Sequence, residues 1–157
     1  MNKILLAALM ATLSFTQEGE PSFRLIVPDK AQLENVPKPT LHKSVSYRYL
    51  EHFYSSSNPI DSILYYSESS NDTCAFRQLF KYNIRYETSS CEEMGQSQQI
   101  TFPKTEQELI KGWIEALFKV PENKWTNDNA YEPPGAGCSY TIVQKKSRTI
   151  VRIYCGC

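Results

Sequence analysis

Residues 139–154, SYTIVQKKSRTIVRIY, alternate apolar and polar side chains on both sides of the break Lys145-Lys146-Ser147-Arg148. A period of two interrupted by a polar turn is the pattern of an antiparallel β-hairpin. Closing the turn with Gln144 opposite Thr149 sets Ile142 against Val151, Tyr140 against Ile153 and Cys138 against Cys155. Cys138, Tyr140, Ile142, Val151, Ile153 and Cys155 then share one face, while Ser139, Thr141, Arg148 and Arg152 fall on the other. Cysteines opposed in a non-hydrogen-bonded antiparallel pair stand close enough to bridge. The apolar face of this hairpin needs a cover, and that requirement organises the rest of the reading.

The cover is an amphipathic helix. Leu109, Ile110, Trp113, Ile114, Leu117 and Phe118 recur at helical spacing and form a single apolar stripe. Thr105-Glu106-Gln107-Glu108 reads as a capping box at its start, and Pro121 stops it. Glu115 and Lys119 stand at i,i+4 for an ion pair. Gly112 costs about 1 kcal/mol against Ala and suggests a close approach to the sheet. The expected fold class is therefore α+β: an antiparallel β-sheet with one amphipathic helix (about 105–119) packed on one face, a C-terminal β-hairpin and disulfide stabilisation.

Further strands are expected at 60–67, at 98–102 before Pro103, and along 74–88 as one long half-buried run. In that run Cys74, Phe76, Phe80, Tyr82, Ile84 and Tyr86 share a face, opposite a basic stripe of Arg77, Lys81 and Arg85. Val45 to Tyr54 is rich in aromatic residues, and its alternation favours a strand over a helix. Residues 17–40 read as an extended leader and linker carrying Pro37 and Pro39, with a short strand at 23–27. The body of the domain is expected to run from 41 to 157.

Residues 1–16 have the proportions of an export signal. Lys3 precedes an apolar core from Ile4 to Phe15, too short to span a bilayer, and cleavage is expected after Thr16. No second apolar run approaches spanning length, so the processed chain is expected to be periplasmic or secreted without an integral membrane segment. Export gives the five cysteines, Cys74, Cys91, Cys138, Cys155 and Cys157, a disulfide reading. With Cys138 paired to Cys155, Cys157 is left to reach Cys74 or Cys91; the rival pairing joins Cys74 to Cys91. A thiolate metal site at Cys155-Gly156-Cys157 is the weaker reading, because His42 and His52 lack ligand-like spacing to it. Asn71-Asp72-Thr73 matches a glycosylation sequon.

Charge and motifs narrow the function classes. Seventeen basic residues balance seventeen acidic ones, which speaks against a dedicated nucleic-acid binder. There is no glycine-rich phosphate loop, no HExxH and no GxSxG, and no motif singles out a pair of carboxylates. No catalytic set, cofactor or metal is expected. The segment 121–137, PENKWTNDNAYEPPGAG, reads as a long loop between helix and hairpin, with Trp125 and Tyr131 beside Lys124, Asp128 and Glu132. Those residue types anchor protein interfaces. The first expectation is thus a non-enzymatic binding protein that occludes a protein partner, a toxin or hydrolase, through this loop; inhibitors and immunity proteins of periplasmic toxins share this general build. The alternative is a small ligand-binding protein or enzyme with an aromatic pocket under the helix, drawing on Tyr47, Tyr49, Tyr65, Tyr66, Tyr82 and Tyr86 with His52 as acid or base. An exposed sheet edge would also suit a homodimer.

Overall fold

The computed structural model describes residues 22–35, 44–54, 63–66, 73–89 and 96–156, the stretches 63–66 and 73–76 as backbone alone. The export signal expected at 1–16, the sequon asparagine Asn71, and Cys91 and Cys157 lie outside the described residues, as does the side chain of Cys74. Among the described residues, eight strands form one antiparallel sheet: β1 (Ile63–Tyr66), β2 (Thr73–Phe80), β3 (Ile84–Ser89), β4 (Gln96–Pro103), β5 (Lys124–Asn127), β6 (Ala130–Glu132), β7 (Gly137–Gln144) and β8 (Arg148–Gly156). Their order, β1-β2-β3-β4-β8-β7-β6-β5, sets two four-stranded meanders side by side. The helix α3 (Gln107–Phe118) carries the chain from β4 at the centre to β5 at the far edge.

The β7–β8 hairpin closes in the expected register, with Gln144 opposite Thr149 and Cys138 opposite Cys155, and a disulfide joins those cysteines. Tyr140, Ile142, Val151 and Ile153 are buried with Ile84, Tyr86, Ile100 and Phe102 from the neighbouring strands. Ile110, Trp113, Ile114 and Leu117 of α3 belong to the same cluster, and Trp113 meets Phe102 edge-on at 5.3 Å between ring centroids. Leu109, expected in the stripe, is instead 43% exposed.

Several local expectations are corrected. Residues 45–54 form a helix, α2 (Val45–Tyr54), rather than a strand. Ser46, Tyr47, Tyr49, Leu50 and Tyr54 are its buried side chains, a helical spacing, and the Ser44 hydroxyl accepts the Tyr47 amide as an N-cap would. Residues 23–27 run extended without joining the sheet. Their backbone is satisfied by α2: the Ile26 amide donates to Tyr54 Oη (2.9 Å), Tyr49 Oη donates to the Ile26 carbonyl (2.5 Å) and Tyr54 Oη to that of Arg24 (3.1 Å). Two tyrosine hydroxyls thus do the work of a neighbouring strand. Leu25 is buried and Phe23 packs on Phe102, so this stretch belongs to the core rather than to a leader. Beyond it, Asp29 and Gln32 form a reciprocal capping box on the short helix α1 (Lys30–Glu34), where an extended connector was expected.

The single long strand expected at 74–88 is two strands. A turn at Lys81–Asn83 folds β3 back onto β2, with Tyr82 and Asn83 both left-handed at φ 60° and 61°. No glycine marks the position; the Tyr82 ring is held against Phe23 and Tyr54. The capping box expected on α3 does not form either. Thr105 is drawn into the sheet, where its amide donates to Thr149 Oγ1 (3.1 Å) and its hydroxyl to the Pro103 carbonyl (2.8 Å). Glu106 caps the helix through its backbone alone. Glu115 accepts from Trp125, and among the described residues no ion pair joins it to Lys119. A Cβ on Gly112 would meet nothing within 4 Å, so close packing does not account for that glycine.

Candidate functional site

The segment 121–137 is for the most part a β-hairpin. β5 and β6 pair with Lys124 opposite Glu132 and Trp125 opposite Tyr131, and Asp128 stands at the turn between them. The five residues singled out from the sequence therefore share one small element. Two of them turn inward. Tyr131 is 7% exposed, donates its hydroxyl to the Val120 carbonyl (3.1 Å) and packs against Tyr140. Trp125 is half-buried over the Tyr131 ring at 5.1 Å, and its indole N–H donates to Glu115 Oε1 at 2.6 Å.

Lys111 of α3 completes the brace. Its ammonium lies 5.3 Å from the centre of the Trp125 ring, 3.1 Å from Glu108 and 3.6 Å from Asp128. The Glu108 and Asp128 carboxylates hold its pKa above the ordinary lysine value. Gln107 donates to the Asp128 carbonyl and to Asn129 Oδ1, and the Asn129 amide is taken by Asn127. The helix thus clamps the hairpin along its length, while Lys124, Thr126, Asn127 and Asp128 stay exposed. β5 is the last strand of the sheet, with no described strand beyond it.

A second feature lies on the face of the sheet opposite the described helices. The registers align Arg77 with Glu87, Glu87 with Gln99, and Gln99 with Arg152, a transverse row across β2, β3, β4 and β8. Its side chains connect in sequence. Arg77 Nε reaches Glu87 Oε1 at 2.6 Å, Gln99 Nε2 donates to Glu87 Oε2 at 2.8 Å, and Arg152 Nε donates to Gln99 Oε1 at 3.2 Å. The next row brings Ser89, Ser97, Tyr154 and Ser139 together. Between the rows lies a groove of about 470 Å3 lined by Arg77, Glu87, Ser89, Ser97, Arg152 and Tyr154. Tyr154 is 51% exposed and lies against Gly156, where a Cβ would come within 2.9 Å of its ring. A smaller depression of about 300 Å3 shares Tyr154 and extends to Glu132 of the hairpin.

Along the sequence, the basic stripe of Arg77, Lys81 and Arg85 and the outer-face Arg152 of the hairpin are separate features, and Lys81 falls in the turn between β2 and β3. Joining them needs β4 beside β8, a pairing between strands about 50 residues apart.

Of the tyrosines assigned to a pocket under the helix, Tyr47, Tyr49 and Tyr86 fill the core instead, and Tyr82 packs against it half-buried. Tyr47, Tyr49 and Tyr86 are at most 2% exposed. Burial pushes the phenols of Tyr47 and Tyr86 up to about 12 and raises that of Tyr49 further. The side chains of Tyr65 and Tyr66 lie outside the described residues. His52 is exposed on α2 with its ring edge-on to Phe53 at 4.7 Å. Among the described residues, no three His, Cys, Asp or Glu side chains gather to hold a metal ion, and no helix is long and apolar enough to cross a membrane. Comparison of the chain with protein-family models, curated proteins and solved structures returns no match.

Proposed function

We propose that the protein is an exported, non-enzymatic binding protein that occludes a protein partner, a toxin or hydrolase, through residues 121–137. The observation that carries the reading is the state of the β5–β6 hairpin: the last strand of the sheet among the described residues, with exposed Lys124, Thr126, Asn127 and Asp128, braced by Lys111 and Glu115 of α3. An edge strand offers unpaired backbone donors and acceptors to a partner. Bracing removes the ordering cost that a loose loop would bring to binding. Inhibition is steric, with Lys124, Asp128 and Glu132 setting orientation and the exposed part of Trp125 supplying apolar contact. Export follows from the basic start and apolar core of residues 1–16, and the Cys138–Cys155 disulfide fits an oxidising compartment.

The test is affinity capture from envelope extract with the processed, oxidised protein as bait. A second bait carries Lys124→Glu with Thr126→Arg, two exposed changes that leave Trp125 and Tyr131 in place. The wild type should retain a partner that the variant loses. Equal recovery by both baits refutes the assignment of binding to this hairpin.

A further inference from the structure

We propose that the groove between the Arg77–Glu87–Gln99–Arg152 row and Tyr154 binds an acidic peptide segment of the partner, with Arg152 as the anchor for a carboxylate. This rests on the binding-protein reading and adds the chemistry of what is bound.

The argument starts from charge. Glu87 is already satisfied from two sides, by Arg77 at 2.6 Å and by the Gln99 amide at 2.8 Å. Gln99 is thereby fixed, and its carbonyl receives Arg152 Nε at 3.2 Å. That contact orients the guanidinium through a neutral acceptor, and among the described residues no carboxylate pairs with Arg152. The two terminal nitrogens of Arg152 remain for a ligand, in the fork geometry that matches a carboxylate. A positioned guanidinium loses less freedom on binding than a loose one.

Shape and neighbours agree with that chemistry. The small hydroxyl residues Ser89 and Ser97 line the groove together with half-exposed Tyr154. Strand spacing of about 4.8 Å puts Arg77 and Arg152, three strands apart, roughly 14 Å from each other. That span suits an extended peptide laid across the strands better than a single small anion. Arg85 lies one row away on the same face, exposed, so the face is locally basic around one neutralised carboxylate. The chain as a whole is neutral, with seventeen basic and seventeen acidic residues, so it lacks the excess of positive charge that a nucleic acid would require. The favoured occupant is therefore a short acidic stretch of protein.

The test is an NMR titration of the oxidised full chain with an acetylated, amidated hexaglutamate peptide. Hexalysine, glutarate and a single-stranded DNA 12-mer serve as the comparison arms. The peptide should shift the amides of Ser89, Ser97, Gln99 and Tyr154 and the Nε–H of Arg152, and weaken as salt rises. Arg152→Gln should reduce its affinity about tenfold, the worth of one bidentate charged contact, while exposed Lys146→Gln changes it less than about twofold. Shifts centred elsewhere, an unchanged affinity in Arg152→Gln, or tighter binding of DNA, glutarate or hexalysine would each overturn the assignment. Peptide binding without loss of partner capture in the Lys124→Glu, Thr126→Arg bait refutes the hairpin alone. Capture through the hairpin with no peptide binding refutes the groove alone.

Discussion

Replacing both Cys138 and Cys155 by serine tests whether the C-terminal hairpin depends on its covalent tie. The cysteines are 17 residues apart in sequence and directly opposed across β7 and β8. Cross-linking a loop of that length removes chain entropy from the unfolded state worth about 3 kcal/mol at room temperature. The native state should change little, because the pairing is also secured at the other end by Thr149, which bonds Thr105 and Gln144. Stability in urea should therefore fall by about 3 kcal/mol, and Tm by roughly 6–12 °C for a chain of this size. The slope of the urea transition should rise slightly, since the freed unfolded chain exposes more surface. Reducing the wild type under native conditions should reproduce at least that loss. Gly137 and Gly156, at the open end of the hairpin, line the smaller depression beside Tyr154. Amide exchange at Ser139 and Tyr154 should therefore quicken before exchange at Ile142 or Val151. A loss below about 1 kcal/mol, with unchanged exchange at Ser139 and Tyr154, would refute the view that this bridge constrains the unfolded chain and pins the groove end of the sheet.

Gly112→Ala should stabilise the protein by about 1 kcal/mol, because the added methyl meets nothing and the helix loses a flexible residue; chemical denaturation would reveal a loss instead if the position were packed. Alkaline pH should destabilise the fold. The phenols of Tyr47, Tyr86 and Tyr140 are raised to about 12 from 10.0, so they keep their protons in the folded chain after the unfolded chain has lost them. Their contribution is complete below pH 10 and is lost as pH rises towards 12, at about 1.4 kcal/mol per pH unit for each tyrosine. Tyrosinate absorbance should lag behind free tyrosine and then rise together with loss of near-UV circular dichroism; full titration at pH 10 in a folded chain would contradict this. Trp125→Phe should keep the ring contact with Tyr131 but lose the bond to Glu115, lowering stability by about 1–2 kcal/mol and loosening β5 in hydrogen exchange.

What was legible in the sequence was local. The β7–β8 hairpin carries its own register, since alternation and turn lie within one short stretch and a slip of one residue would bury the polar face. The α3 stripe was legible for the same reason, apart from Leu109 at its exposed margin. The misreadings have non-local causes. In α2, Val45, Tyr47 and Tyr49 alternate by coincidence, while the Ser44 cap and the spacing of Tyr47, Leu50 and Tyr54 held the helical signal. The extended path at 23–27 depends on Tyr49 and Tyr54 hydroxyls, at least 23 residues away in sequence. Thr105 has the residues of a capping box, but buried Thr149 claims its amide first. The β5–β6 strands span only four and three residues, too short for periodicity to register. The groove depends wholly on which strands become neighbours, which no local pattern encodes.

The central claim, that a partner docks on the β5–β6 edge, is tested most directly by site-specific photo-crosslinking in the native envelope. A photoreactive residue at exposed Thr126 is compared with one at exposed Lys146 in the β7–β8 turn. An adduct of one defined mass from position 126 and none from position 146 is the predicted result. No adduct from position 126, or equal adducts from both, would contradict the account.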